Sequence, residues 1–263
     1  MISSLYASIP LLLFLSLTPL TATAAKASAL AELETSRHGP RATQATSSNG
    51  IGHGHASSTE ASTISAQPGR LVIFFHGVKG RGSVMDAIAD SWRRTLPNTR
   101  FVAPDAPSPH RSGGYQWFVV DDQVMRPDRI EAARRAFDGL VADIVEREGF
   151  ENDLENVAFV AVSQGAIMAL DAVATGRWKV GALVSFAGLL PLPPTSPSSG
   201  TSILLMHGGA DRTIPSAASV AASGQLKSAG YDVSLKVFPD VGHTISSDEA
   251  SEAAIFLRDK YYR

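Results

Sequence analysis

The chain has 263 residues, of which 44% are apolar, and its 23 basic and 25 acidic residues leave a formal net charge of −2. This balance, with no dense run of Lys or Arg, argues against nucleic acid as the main partner, because phosphate binding requires clustered positive charge. The absence of cysteine excludes disulfides, thiol catalysis and cysteine-based zinc sites. Length and composition predict one globular domain together with a less ordered segment.

Residues 1–25 are typical of a secretory signal peptide. Their apolar core, residues 9–20, is followed by small residues, which predicts cleavage after Ala24 or Ala25, although no Lys or Arg precedes the core. A membrane anchor is the alternative, but the core is shorter than the ~20 apolar residues that span a bilayer and is interrupted by Pro10 and Pro19. A mitochondrial presequence would be rich in Arg. We therefore expect a secreted or periplasmic protein without a stable membrane anchor.

Residues 26–68 have the composition of a flexible linker. Ala, Ser, Thr, Gly and His dominate this segment, so it lacks the large apolar side chains needed to offset the entropy of ordering. His53 and His55 could bind a metal, but two histidines in such a tract more often belong simply to the tract.

Residues 69–263 form the predicted domain, in which strand patterns alternate with helical patterns. Strands are expected at 71–75, 100–103, 157–162, 180–186, 202–206 and 232–238. Helices are expected after an N-cap at Ser83, from Pro127, over 164–174 with a stop at Gly176, and near 215–229 and 247–260. Strands that alternate with helices imply crossover connections, so we predict a three-layer α/β fold with a mostly parallel sheet and helices on both faces.

Two long loops interrupt this alternation, at residues 104–126 and 189–200. Long loops in compact domains are often functional, so the first could form a wall of the substrate pocket, with Trp117 as a substrate contact. Alternatively Tyr115, Trp117 and Phe118 pack this loop onto the domain. The sequence leaves both possibilities open.

Ser163 follows the strand pattern of residues 157–162 and precedes a helical pattern, as the serine of a nucleophile elbow does. A hydroxyl needs a base to take its proton, and a sharp strand-to-helix turn exposes it to base and substrate. Such a turn requires small neighbours, here Ala161 and Gly165. A polar residue at a strand end is the alternative interpretation.

Asp211 and His243 complete a candidate catalytic triad with Ser163. Each follows a predicted strand, and in open parallel sheets ligands bind at the carboxyl ends of the strands. The chain order Ser, Asp, His is that of α/β-hydrolases. Rival carboxylates are present at Asp105, Asp240 and Asp248, and rival histidines at His76, His110 and His207. None of these histidines follows Asp211 in the chain, which favours His243 as the base.

From about residue 71 to its end, the chain resembles the phospholipase/carboxylesterase group of the α/β-hydrolase superfamily, which includes acyl-protein thioesterase-like proteins. The resemblance depends on several separate motifs: Phe75-His76-Gly77-Val78-Lys79-Gly80, Pro104-Asp105-Ala106-Pro107 with Gln116-Trp117-Phe118, Ser163-Gln164-Gly165, His207-Gly208-Gly209-Ala210-Asp211 with Ile214-Pro215, and Gly242-His243. Ala161 departs from the family pattern, which has glycine at this position.

The resemblance implies an α/β-hydrolase fold and a serine carboxylesterase that needs no cofactor or metal and cleaves small to medium esters or thioesters through an acyl-enzyme. It makes Ser163 the nucleophile, His243 the base and Asp211 the orienting acid, with the backbone N–H groups of Val78 and Gln164 as the oxyanion hole.

The resemblance also makes His76 and His207 structural residues. A serine peptidase is one alternative function, although such hydrolases usually carry an added domain for which this chain has no room. A binding protein that kept the fold but lost turnover is another.

Overall fold

The computed structural model describes residues 68–120, 126–197 and 200–262. The predicted signal peptide, residues 26–67 of the predicted linker, and His53 and His55 lie outside these residues. The predicted domain boundaries therefore stay a prediction.

A six-stranded parallel sheet forms the centre of the domain. The strands of the described residues are β1 (Arg70–Phe75), β2 (Thr99–Val102), β3 (Ser108–Pro109), β4 (Tyr115–Gln116), β5 (Val157–Val162), β6 (Ala182–Phe186), β7 (Ser202–Gly208) and β8 (Asp232–Phe238). The large sheet has the order β2-β1-β5-β6-β7-β8, and every neighbouring pair in it is parallel. This confirms the predicted sheet.

Helices cover both faces of the sheet. They are α1 (Asp86–Trp92), α2 (Pro127–Arg147), α3 (Gln164–Ala174), α4 (Ala217–Ser228) and α5 (Ser247–Tyr262). Side chains of α2, α3 and α4 share one apolar core with the sheet, and side chains of α1 and α5 share a second core on the opposite face. In the described ranges, no helix combines the length and the apolar character needed to cross a membrane. The three-layer α/β prediction is confirmed.

Strand β1 shows why the central strands are almost continuously apolar. Leu71, Ile73 and Phe75 point into one core, whereas Val72 and Phe74 point into the other. Successive side chains of a strand alternate between the faces, so a strand covered on both sides must be apolar at every position. Full burial of each large apolar side chain contributes about 1.5–3 kcal/mol.

The structure corrects one predicted helix start and adds one hairpin. Ser83 is not an N-cap, because it lies inside a 3₁₀ turn (Gly82–Met85) and α1 begins only at Asp86. The loop at 104–126 contains the antiparallel pair β3-β4, which sequence analysis did not predict. Its turn uses Gly113 and Gly114, both at positive φ. Gly176 lies two residues after α3 with a φ of 71°, which confirms the predicted stop.

The parallel sheet brings three distant chain segments together. Ser163 directly follows β5, Asp211 follows β7, and His243 follows β8. Because the carboxyl ends of parallel strands meet at one edge, these residues share one edge of the sheet.

Candidate active site

Ser163 occupies a strained turn between β5 and α3. Its φ of 54° and ψ of −117° are rarely adopted by a residue with a side chain. The turn is held by the Ser163 N–H, which donates to the Phe186 carbonyl at 3.0 Å, and by the Ser163 carbonyl, which accepts from the Ile167 N–H at 3.0 Å. The surrounding structure therefore fixes the direction of the hydroxyl.

The small residues around Ser163 are required to different degrees. A Cβ at Gly165 would lie 2.4 Å from the Phe75 carbonyl oxygen and 2.7 Å from that of His76, so no larger residue fits there without a backbone shift. Ala161 is fully buried in β5, where it is paired with Phe75 and Ser185. The departure from the family glycine is therefore accommodated.

His243 lies between Ser163 and Asp211 and is hydrogen-bonded to both. Its Nδ1 is 2.7 Å from Asp211 Oδ2, and its Nε2 is 2.8 Å from Ser163 Oγ. A carboxylate only accepts, so Nδ1 carries the proton and a neutral ring leaves Nε2 to accept the Ser163 O–H. These two contacts therefore align the Ser163 hydroxyl, the His243 imidazole and the Asp211 carboxylate for proton transfer.

Asp211 is fixed by donors on both carboxylate oxygens. Oδ1 accepts the backbone N–H groups of Thr213 at 2.7 Å and Ile214 at 3.0 Å. Oδ2 faces His243 Nδ1 and, at 3.2 Å, His207 Nε2. The carboxylate is fully buried, and these donors replace the water that it loses.

The loop after β1 is the predicted second half of the oxyanion hole. The position of a Cβ on Gly77 would be 3.9 Å from Ser163 Oγ, so this loop passes beside the hydroxyl. The loop is held by the Gly80 N–H donating to Gly77 O at 3.0 Å and by the Lys79 N–H donating to Tyr115 O at 2.8 Å. In the described part of the chain, the N–H groups of Val78 and Gln164 donate to no carbonyl, so both are available to a bound oxyanion.

The sequence left two roles open for Trp117, packing and substrate contact, and the structure shows the packing role. Its side chain is 4% exposed, and its ring packs against Phe75 and Phe137. Its indole N–H donates to the His76 carbonyl at 2.8 Å. The side chain is thus occupied inside the domain, and the structure does not support the predicted contact with substrate.

The Gln164 side chain is a part of the site that sequence analysis missed. Its Oε1 accepts the Trp117 N–H at 2.8 Å, and its Nε2 donates to the Phe118 carbonyl at 2.8 Å. The residue after the nucleophile therefore ties the aromatic loop to the start of α3. The available signal was a polar residue at the start of a helix whose other residues, apart from Asp171, are apolar or glycine.

His76 supports the loop that carries Val78. Its Nε2 accepts the Ala106 N–H at 3.0 Å, and its Nδ1 donates to Gly77 O at 2.7 Å, so the ring is neutral. Burial lowers the pKa of His76 from its ordinary value, which favours the same form. These contacts fit the structural role that the resemblance implied.

Of the remaining rivals, Asp105 and His110 bind other partners, and His207 is hydrogen-bonded to Ser219 and to the Ile214 carbonyl. Asp105 accepts the Gly82 N–H at 2.7 Å, and His110 accepts the Ser112 N–H at 3.0 Å. Asp240 and Asp248 are exposed. Among the described residues, Asp211 is the carboxylate in contact with His243. No group of three His, Asp or Glu side chains in this part of the chain is arranged to hold a metal ion.

The curated relatives that this chain resembles are ester-cleaving proteins. Esterase YpfH of Escherichia coli is 31% identical over 192 residues, which cover 72% of this chain and 82% of that protein. Acyl-protein thioesterase 1 of Gibberella zeae is 27% identical over 211 residues, which cover 71% of this chain and 88% of its own length.

Solved structures share the fold. Esterase PE8 superposes with a TM-score of 0.67 at 31% identity and covers 74% of this chain and 94% of its own. The Bacillus cereus carboxylesterase, with a TM-score of 0.65 at 15% identity, covers 74% of this chain and 90% of its own and shows the likeness of fold alone.

A family model also covers most of the chain. The phospholipase/carboxylesterase model matches residues 59–260, which include all of the site described above. With the fold and the curated relatives, this match shows that the chain is a carboxylic ester hydrolase of the α/β-hydrolase fold and belongs to the phospholipase/carboxylesterase family.

Proposed function

We propose that this protein is a serine carboxylesterase that cleaves small to medium esters or thioesters through an acyl-enzyme on Ser163. The observation that carries the proposal is the continuous contact from Ser163 through His243 to Asp211, at 2.8 Å and 2.7 Å. Each atom in this series has the partner that proton transfer from a hydroxyl requires.

In the first half of the reaction, Ser163 Oγ attacks the carbonyl carbon while its proton passes to His243 Nε2. Asp211 stabilises the resulting imidazolium through the Nδ1–H bond. The oxygen of the tetrahedral intermediate accepts the N–H groups of Val78 and Gln164, which are prepared for it before substrate arrives. His243 then gives its proton to the leaving oxygen or sulfur as that bond breaks.

In the second half, water replaces the leaving alcohol or thiol. His243 takes a proton from the water as it attacks the acyl carbon, and the proton returns to Ser163 Oγ when the acyl-enzyme breaks. The products are a carboxylic acid and the alcohol or thiol. The names of the relatives, esterase and acyl-protein thioesterase, support oxygen esters and thioesters as the two substrate classes to compare.

Hydrolysis of p-nitrophenyl acetate and butyrate tests this proposal. Ser163→Ala should lower kcat by at least about 1,000-fold, because the nucleophile is gone. Ser185→Ala is the matched control, since Ser185 is a buried serine on the neighbouring strand whose hydroxyl has no hydrogen-bond partner among the described residues. Equal rates for the protein and Ser163→Ala would reject Ser163 as the nucleophile.

A chain-length series of p-nitrophenyl and acyl-thioester substrates tests the proposed substrate size. We expect kcat/KM to be highest for short and medium acyl chains. A steady rise toward long acyl chains would contradict the proposed size class, while leaving the serine mechanism intact.

We further propose that the protein is exported by the signal peptide at residues 1–25. The apolar core and the small residues after it support this proposal. Sequencing the N-terminus of protein from the periplasmic or culture fraction should give a start at Ala25 or Lys26. An intact N-terminus retained in the cytoplasm would contradict export.

A further inference from the structure

A second imidazole contacts the carboxylate of Asp211. His207 lies in β7 and its side chain is fully buried. Its Nε2 is 3.2 Å from Asp211 Oδ2 and 2.8 Å from the Ile214 carbonyl oxygen, and its Nδ1 is 2.7 Å from Ser219 Oγ in α4. Both nitrogens of the His207 ring therefore have a defined partner, one on the loop that carries Asp211 (the acid loop) and one on the helix that follows this loop.

The partners of His207 determine where its proton lies. Nε2 faces a carboxylate and a carbonyl, and both groups only accept, so Nε2 carries a hydrogen. On the other side, Ser219 Oγ has a second neighbour, the Gly188 carbonyl, at 3.4 Å. That separation exceeds the ~2.5–3.0 Å of an ordinary O–H···O bond. The 2.7 Å contact with Nδ1 is therefore the main hydrogen bond of the Ser219 hydroxyl.

We propose that Ser219 and His207 are positioning residues for Asp211: Ser219 holds His207 Nδ1, and the His207 Nε2–H donates to the Ile214 carbonyl while lying 3.2 Å from Asp211 Oδ2. This inference rests on the proposed function of the triad. The N–H groups of Thr213 and Ile214 hold Oδ1, and the bond from His207 to the Ile214 carbonyl holds this part of the acid loop in place.

The closeness of this N–H to Oδ2 has a consequence for catalysis as well as for geometry. The positive end of the His207 N–H lies 3.2 Å from Oδ2 and stabilises part of its charge, so less of that charge acts on the His243 imidazolium. Removing the donor leaves the whole charge to His243, which then holds its extra proton more strongly and works as a base only at higher pH. Among the described residues, Asp211 is the charged group in contact with His207, and His243 is the titratable group beyond it.

The first variants to compare are His207→Met and His207→Gln, with p-nitrophenyl butyrate as substrate. Met removes both ring nitrogens, whereas the Gln amide can still donate to the Ile214 carbonyl and hydrogen-bond Ser219. We expect His207→Met to lower kcat about 10- to 100-fold with KM little changed, because the bond that holds the Ile214 carbonyl and the N–H beside the charged Asp211 carboxylate are both lost. His207→Gln should recover most of kcat.

The second pair is Ser219→Ala and Ser219→Thr, which remove and restore the hydroxyl. We expect Ser219→Ala to lower kcat about 3- to 10-fold, as for one neutral hydrogen bond, and Ser219→Thr to recover it. Ser223→Ala is the matched control, because Ser223 is a buried serine one turn further along α4. It should behave as the unchanged protein does.

The pH profile of kcat/KM distinguishes a positioning role of His207 and Ser219 from a purely structural one. In His207→Met the acidic limb should move to higher pH, and in Ser219→Ala it should move in the same direction by less. A loss of rate that is equal at every pH and parallels a lower melting temperature would overturn the proposal. If His207→Met does not fold, the Ser219 pair decides.

Ser163→Ala, measured in the same series, separates the two proposals. If it retains the rate of the unchanged protein, the serine mechanism fails and this inference fails with it. If it is inactive while the folded His207 and Ser219 variants keep an unchanged kcat and acidic limb, the inference alone is overturned.

Discussion

Two buried aspartates, Asp211 and Asp171, hold their charge in different ways. Both carboxylates are fully buried. Asp211, at the edge of the sheet, faces two imidazoles and two backbone N–H groups. Asp171, in the middle of α3, faces the guanidinium groups of Arg134 and Arg177 at 2.8–3.0 Å.

The different partners suit the two carboxylates to different roles, one catalytic and one structural. Imidazoles gain and lose protons near neutral pH, so the surroundings of Asp211 can change charge during a reaction. Guanidinium groups stay charged, and the hydrogen bond to Asp171 raises the pKa of Arg134 further. Arg177 also binds Asp138 at 2.8 Å, and the resulting network joins α2 to the helix that begins after Ser163. One carboxylate is prepared for turnover and the other for holding helices together.

The largest expected effect is on turnover at Asp211. Asp211→Asn should lower kcat about 10⁴-fold, because an amide no longer stabilises the imidazolium or holds the required tautomer. Esterase kinetics with p-nitrophenyl butyrate check this. Asp240→Asn, an exposed acid in the loop of His243, is the control and should keep its rate. A loss under 10-fold for Asp211→Asn would remove Asp211 from the proposed triad.

The next effect is on stability at Asp171. Asp171→Asn should lower the free energy of unfolding by about 3–5 kcal/mol, because it leaves two guanidinium groups without their buried counter-charge. The kcat of the folded fraction should stay near that of the unchanged protein. Urea denaturation measures the effect, with Asp143→Asn as an exposed control on α2. If Asp171→Asn instead abolished turnover without loss of stability, the division between the two aspartates would be wrong.

Two glycines, one at the catalytic edge of the sheet and one in the helix layer, should respond differently to substitution by Ala. Gly165→Ala should destabilise the protein by about 1–3 kcal/mol, because its Cβ would press on the carbonyls of Phe75 and His76. It should also lower kcat by displacing the loop of Val78. Gly139→Ala in α2 meets no atom of the described part of the chain within 4 Å and should stabilise by up to about 1 kcal/mol. Melting curves of both variants check the prediction, and equal shifts would contradict it.

The smallest expected effect is on the pH dependence of stability at His76. Burial lowers the folded-state pKa of His76 below its ordinary 6.5, so the unfolded chain binds the proton more readily. The contribution of neutral His76 is complete above pH 6.5 and is lost as pH falls from there toward the lowered value. His76→Gln should therefore flatten the loss of stability between about pH 6.5 and 5. Urea midpoints across this range test it, and parallel slopes would contradict it.

The fold was readable from the sequence wherever the period of apolar residues was unambiguous. Strands β5 and β8 and helix α3 have the predicted bounds: β5 and α3 are buried and almost continuously apolar, and β8 alternates apolar with polar residues. The candidate triad was readable for a related reason. Turns after parallel strands meet at one edge, so a serine, an acid and a histidine in such turns could be expected to lie together.

Other features depend on contacts between distant segments that spacing alone does not give. Strands β3 and β4 have two residues each, which is too short to show an alternation of apolar and polar residues. The sequence was equally compatible with an exposed Trp117, whereas in the structure its indole N–H donates to the His76 carbonyl inside the domain. Asp171 is the one charged residue of α3, and its position in the sequence did not show that Arg134 and Arg177 would bind it. His207, four residues before Asp211, likewise gave no indication of the Ser219 hydroxyl on the opposite side of its ring.

Covalent labelling tests the central claim most directly. The protein is treated with a fluorophosphonate, the modified peptide is located by mass spectrometry, and the experiment is repeated on Ser163→Ala and His243→Ala. The account predicts one probe per molecule on Ser163, none on Ser163→Ala, and much slower labelling of His243→Ala. A protein that stays unlabelled, or that carries the probe on another residue, would contradict the account.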